Sequence, residues 1–176
     1  MGLGKAFLFS ILALVGLNFI FTIIYFAFVS GFPTLFSNIQ NAPLMIIYYL
    51  FGALISFPHI IFEWTIAQPF FGTLNLTYLI FGIAYLVVLI IPAILAGKFG
   101  ESKAQCFGGW LLTVFVSTVI IIIGIFLSNS FRNELNLVYG WATTIDVLLI
   151  NILISCTINI LFYGFFVVLV SKIEYY

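Results

Sequence analysis

Charged side chains are scarce in this sequence: Asp, Glu, Lys and Arg make up 6% of its 176 residues. A soluble domain carries about 25% charged residues, so this chain cannot cover itself with a water-facing surface. Its formal net charge is +0 and its few basic residues are dispersed, so we expect no nucleic-acid partner. The solvent that suits this composition is lipid.

Catalytic and metal-binding residue types are equally sparse. The chain has one histidine, His59, one aspartate, Asp146, and two cysteines, Cys106 and Cys156, which form no CxxC pair. A catalytic zinc site needs about three protein ligands, and neither a GxSxG motif nor a phosphate-binding GxxxxGK[ST] motif is present. We therefore predict no metal and no cofactor. An intramembrane enzyme is disfavoured because so few groups could transfer a proton.

Long apolar runs dominate what is there, since 65% of the residues are hydrophobic. A helix of about 20 apolar residues spans the hydrocarbon core of a bilayer, and its backbone groups must find partners within the protein. The sequence predicts an all-α, polytopic membrane helix bundle over residues 1–176, with no soluble domain and the lipid bilayer as its surroundings. Four spans are clear: 6–29, 76–97, 106–128 and 146–170.

A fifth segment, 44–62, has two interpretations. It crosses once and makes about five helices, or it breaks near Pro58 and returns as a re-entrant loop or two short helices, which would make six. Basic residues favour the cytoplasmic side. Re-entry places Lys5, Lys98, Lys103 and Lys172 on one side against Arg132 alone. A single crossing divides the five basic residues three against two, so the count favours re-entry. Both interpretations place the 98–105 turn and the carboxyl terminus in the cytoplasm.

Two groups of polar residues form a candidate intramembrane site. His59 and Glu63 are four residues apart on one helical face, beside the break that re-entry requires. Ionisable residues at membrane depth suggest function, whereas at a helix end they anchor the helix in the headgroups. Asn151, Ser155 and Asn159 recur every four residues along the last helix. Such a stripe either lines a solute path or supplies hydrogen bonds between helices.

Smaller features indicate close helix packing. Asn18 and Thr22 form a similar polar pair on the first helix, and a stripe of small residues follows Gly109 on the 106–128 helix. Asp146 begins the last helix, where a carboxylate complements the helix dipole.

Two hypotheses about function follow. The first is a non-catalytic subunit that packs against other membrane subunits or a second copy of itself. The alternative is a small-solute transporter, or a solute-binding membrane subunit, with a polar path along the last helix.

Overall fold

The computed structural model describes residues 2–72, 76–139 and 144–171, which contain no β-strand. The chain is an all-α bundle, as predicted. Its helices are α1 (Gly2–Tyr25), extended by a π-helical turn (Phe26–Ser30); α2 (Phe32–Asn41); α3 (Met45–Phe51), followed by a 3₁₀ turn (Gly52–Ile55); α4 (Pro58–Phe62) and α5 (Gln68–Phe71), joined by a π-helical turn (Glu63–Ala67); α6 (Leu76–Phe99); α7 (Lys103–Leu127); α8 (Asn129–Tyr139); and α9 (Ile145–Val170).

The four predicted spans are confirmed as α1, α6, α7 and α9, each long and apolar enough to cross a membrane. α6 runs without a break through Pro92, which is buried. Because these helices carry apolar side chains on every face, their outer surface suits lipid and their inner surface packs as a core. The protein is an integral membrane helix bundle.

Contacts along α1 and α6 show that these helices run in opposite directions. Near the start of α1, Phe9 stacks on Phe99 at the end of α6, with ring centroids 4.1 Å apart. At the other end of the pair, the rings of Tyr25 and Phe81 lie 4.4 Å apart. The amino end of α1 therefore lies beside the 98–105 turn.

The carboxyl end of α9 lies at the same end of the bundle, where glycines allow the helices to approach closely. A Cβ atom added at Gly97 of α6 would lie 2.5 Å from the carbonyl oxygen of Val167, and one added at Gly164 would meet the ring of Phe107. We call this end of the bundle, with the 98–105 turn, the turn end, and the opposite end the distal end. α1, α6, α7 and α9 each connect the two.

The segment between α1 and α6 enters the bundle from the distal end. The hydroxyl of Thr22 donates to the carbonyl of Tyr49, 3.2 Å away. One turn deeper along α1, the side-chain oxygen of Asn18 accepts from the amide of Ala53, 3.4 Å away. α3 thus descends beside α1 until its helix breaks halfway down the bundle.

The segment then returns to the end from which it came. The 45–55 and 58–71 helical parts meet at a bend of 86°. Beyond the bend, Trp64 stacks on Tyr78 near the start of α6, with ring centroids 5.6 Å apart. Since α1 ends and α6 begins at the distal end, residues 45–71 form a re-entrant segment. The re-entrant interpretation of 44–62 is therefore the one that the structure adopts.

Re-entry also fixes how the basic residues are distributed. Lys5, Lys98 and Lys103 lie at the turn end, and Arg132 of α8 lies at the distal end beyond α7. Lys172 lies outside the described residues. For these four described residues, the distribution agrees with the re-entrant interpretation.

Cysteine labelling tests this topology. Ser37 of α2, Asn133 of α8 and Lys103 of α7 are exposed, and each is replaced singly by cysteine in a Cys106→Ala, Cys156→Ala background. We expect Ser37→Cys and Asn133→Cys to react with an impermeant thiol reagent from the same side of the membrane, and Lys103→Cys from the other. If Ser37→Cys labels together with Lys103→Cys, residues 45–71 cross the membrane once and the re-entrant assignment is wrong.

Candidate functional site

The polar stripe on α9 binds the break in the re-entrant segment. The side-chain nitrogen of Asn159 donates to the carbonyls of Leu54, at 2.7 Å, and Ser56, at 3.0 Å. The hydroxyl of Ser155 lies 3.4 Å from the same Leu54 oxygen. A broken helix leaves carbonyls without backbone partners, and in a membrane the protein has to supply donors. Asn159 does so for two carbonyls through one side-chain nitrogen.

Asn151, the third member of the predicted stripe, makes a different contact. It is buried, with 6% of its surface exposed, but its side-chain nitrogen donates to Val147 of its own helix at 2.8 Å. All three stripe residues therefore face protein, and two of them bond to another element. The contacts at Leu54 and Ser56 are those of hydrogen-bond donors between helical elements.

His59 and Glu63 lie apart from this stripe. Both are exposed on the outer surface of the returning arm, in α4 and the π-helical turn that follows it. The ring of His59 has its centroid 5.6 Å from that of Phe57. The five residues of the candidate site thus fall into an internal group on α9 and an external pair.

Asp146 lies in the first turn of α9 and is exposed. The residue that caps this helix is Thr144, whose hydroxyl oxygen lies 3.4 Å from the amide of Val147. The Asp146 carboxylate is close enough to the helix amino terminus to interact favourably with its dipole.

A partly open cavity of about 250 Å³ lies at the distal end, between α1, α3 and α6. One face of each helix lines it, at the spacing of three or four residues that places side chains together on a helix. On α6, for example, the lining residues include Phe81, Ala84, Tyr85 and Val88. The short helices α2 and α8 each add one polar side chain, Asn38 and Glu134.

Six aromatic side chains in the wall of this cavity contact one another in a closed circle. We call this set the aromatic circle. Adjacent members are joined by ring contacts with centroids 4.4–6.1 Å apart, and at one point by a hydrogen bond between two tyrosine hydroxyls 3.1 Å apart. In order around the circle, its members are Tyr25, Phe26, Tyr49, Tyr48, Tyr85 and Phe81.

Hydrogen bonds hold the tyrosines of the aromatic circle in place. The hydroxyls of Tyr48 and Tyr85 join α3 to α6. The amide nitrogen of Asn38 donates to the hydroxyl of Tyr49, 3.2 Å away, and so joins α2 to α3. A tyrosine buries its ring while its hydroxyl bonds to a partner, so these side chains build a wall that is apolar in area and polar at defined points.

Glu134 gives the cavity its charge. It is the only Asp, Glu, Lys, Arg or His among the described residues that line the cavity. It is partly exposed, whereas Phe131 and Leu135 on the same helix are fully buried and fasten α8 to the bundle. The carboxylate therefore projects from an anchored helix at the distal end.

Sequence reasoning missed this cavity, although a signal was present. The pair Asn18 and Thr22 marks the face of α1 that lines it, and Tyr25 continues that face by one turn. Adjacent tyrosines at 48 and 49, within an apolar run, were a second signal. A hydroxyl in a membrane segment needs a partner, so buried tyrosines indicate an internal polar region.

Comparison with known proteins adds no assignment: no family model, curated protein or solved structure matches the chain. Within the described residues, no group of three or more His, Cys, Asp or Glu side chains is placed to hold a metal ion. Function must therefore be inferred from the cavity and the re-entrant segment.

Substitution of Asn159 tests the role of the α9 stripe. We expect Asn159→Leu to lower the free energy of unfolding by about 1–3 kcal/mol, because the Ser56 carbonyl loses its side-chain donor and the Leu54 carbonyl loses its shortest bond. Asn151→Leu is the matched control on the same face, and it removes only a bond within α9. Unfolding in detergent by heat or SDS measures both. Equal losses in the two variants would show that the bonds to the break contribute nothing particular.

Proposed function

We propose that this protein is a solute-binding integral membrane protein whose site is the distal cavity. The observation that carries this proposal is a cavity of about 250 Å³, lined in part by hydrogen-bonding side chains, in a chain that is 65% hydrophobic and 6% charged. Ligand sites are concave, largely apolar and furnished with a few placed polar groups. Asn18, Asn38, Thr22 and Glu134 supply such groups among the aromatic side chains.

The cavity is positioned to receive its solute from the distal side. Asn38 and Glu134 belong to α2 and α8, the two short helices at that end. Asn18 lines the cavity at its deep end, and its side-chain oxygen also accepts from the amide of Ala53 at the break. Ala53 and Leu54, at the break, have no exposed surface. We infer from this placement that the cavity opens towards the distal side and is closed towards the turn end, as a binding subunit or a transporter in one state requires.

The basic residues suggest which side this is. Lys5, Lys98 and Lys103 at the turn end favour a cytoplasmic location for that end. The cavity then faces the non-cytoplasmic side, and the solute comes from there. The solute-binding alternative formulated from the sequence is retained in this way, with the site on α1, α3 and α6 in place of a path along the last helix.

Access to the cavity is testable with a neutral, water-soluble thiol reagent. We expect Ala84→Cys, in the wall of the cavity, to react from the distal side in the background without native cysteines. Ala93→Cys on the same helix is the control, because Ala93 is fully buried and does not line the cavity. A solute that raises the thermal stability of the unlabelled Ala84→Cys variant should lose that effect once the introduced thiol is blocked. Failure of Ala84→Cys to react would contradict the proposed site.

A second candidate function rests on the external pair. His59 and Glu63 are exposed just beyond the break, where the returning arm starts from the middle of the bundle. Ionisable side chains are costly to expose to hydrocarbon, and a protein neighbour removes that cost. This favours a subunit that packs against another membrane subunit or a second copy through the returning arm.

The oligomeric state tests this second candidate. After gentle extraction from the membrane, we expect the chain to migrate in a complex, and His59→Leu with Glu63→Leu to dissociate it. Ile66→Ala, an exposed apolar change on the same arm, is the control and should leave the complex intact. The mass of the extracted particles distinguishes these results. A wild-type chain that is a monomer under these conditions would rule out the packing role.

A further inference from the structure

We propose that the distal cavity binds a small organic cation, of the alkylammonium class. This inference rests on the proposed solute-binding function and names the solute that the cavity selects. It is carried by two independent features of the molecule: the aromatic circle in the wall of the cavity, and the one carboxylate among the described residues that line it.

The aromatic circle is the first feature that favours a cation. The face of an aromatic side chain carries partial negative charge, so it attracts a cation, and a cation with an apolar exterior gains contact area at the same time. Tyr25, Phe26 and Tyr49 follow one another around the circle, and Tyr48, Tyr85 and Phe81 close it. A ligand inside therefore meets aromatic side chains from α1, α3 and α6 together.

The distribution of charge is the second feature. Glu134 contributes a negative charge, and no Lys, Arg or His among the described residues lines the cavity to offset it. An anionic solute would be repelled by this carboxylate at the distal end of the cavity. A cation would be attracted to the same carboxylate and then to the aromatic circle. The sign of the potential thus agrees with the preference of the aromatic side chains.

The shape of the cavity limits the size and hydration of the cation. At about 250 Å³ it lies just below the range of about 300–1,000 Å³ that is usual for drug-sized ligands, so the occupant is small. A bare metal ion needs several oxygen ligands arranged around it, and one carboxylate with dispersed amides and hydroxyls is a poor set. A quaternary alkylammonium ion, whose charge is covered by methyl groups, holds its water weakly and fits an aromatic wall.

Choline and its neutral isostere, the alcohol in which carbon replaces the choline nitrogen, separate charge from shape. Equilibrium binding is measured on the full chain in lipid nanodiscs, by calorimetry or with labelled ligand. We expect choline to bind about tenfold more tightly than the alcohol, because only choline carries the positive charge that the aromatic faces and Glu134 attract. Equal affinities, or no choline binding at millimolar concentration, would overturn the cation assignment.

Two variants locate the effect. Glu134→Gln keeps the shape of the side chain and should weaken choline binding about fivefold while leaving the alcohol unchanged. Phe81→Leu keeps an apolar side chain, removes one aromatic face and should weaken choline by a similar factor. Glu101→Gln, at the turn end, is the control and should change neither affinity. Thermal unfolding of each variant confirms that it is folded, and normal choline affinity in both folded cavity variants would overturn the proposal.

The two sets of measurements also separate this inference from the function on which it rests. If the neutral thiol reagent reaches Ala84→Cys but choline does not bind better than the alcohol, the cavity remains a solute site and the cation assignment fails. If Ala84→Cys is unreactive, the solute site itself fails.

Discussion

The carbonyl of Leu54 is the group on which this fold depends. A helix that breaks inside a membrane releases carbonyls into surroundings where no water can bind them. Here α9 supplies the donors, through Asn159 and Ser155, while Asn18 of α1 binds the amide of Ala53 from the other side. The re-entrant segment is thus held from two sides by polar side chains. Without such donors, a continuous crossing helix would satisfy its own backbone at less cost.

The cavity lies beside the descending arm of this segment. At the distal end, α3 meets α6 through the hydroxyls of Tyr48 and Tyr85. The segment then bends by 86° at mid-depth and returns. The polar and aromatic faces of α1, α3 and α6 line the cavity on the distal side of this bend.

The sequence predicted the class of protein and the four long spans because hydrophobic length alone decides them. It also favoured re-entry, from the basic residues and Pro58. It did not reveal that His59 and Glu63 point outward while Asn159 points to the break, because a spacing of four defines a face without saying what that face meets. The cavity was harder still. Its wall joins Tyr25, Tyr48 and Tyr85, and only the pairing of three helices brings these residues together.

The contact between Asn159 and Leu54 has a consequence for how the chain is made. The two residues are 105 positions apart in sequence. During synthesis, the segment around Leu54 leaves the ribosome before α9 does. The side chains that donate to its carbonyls have then not yet been synthesised. The re-entrant shape can therefore be completed only after the last helix has been inserted. Until then the carbonyls of Leu54 and Ser56 lack the donors that α9 gives them in the folded protein.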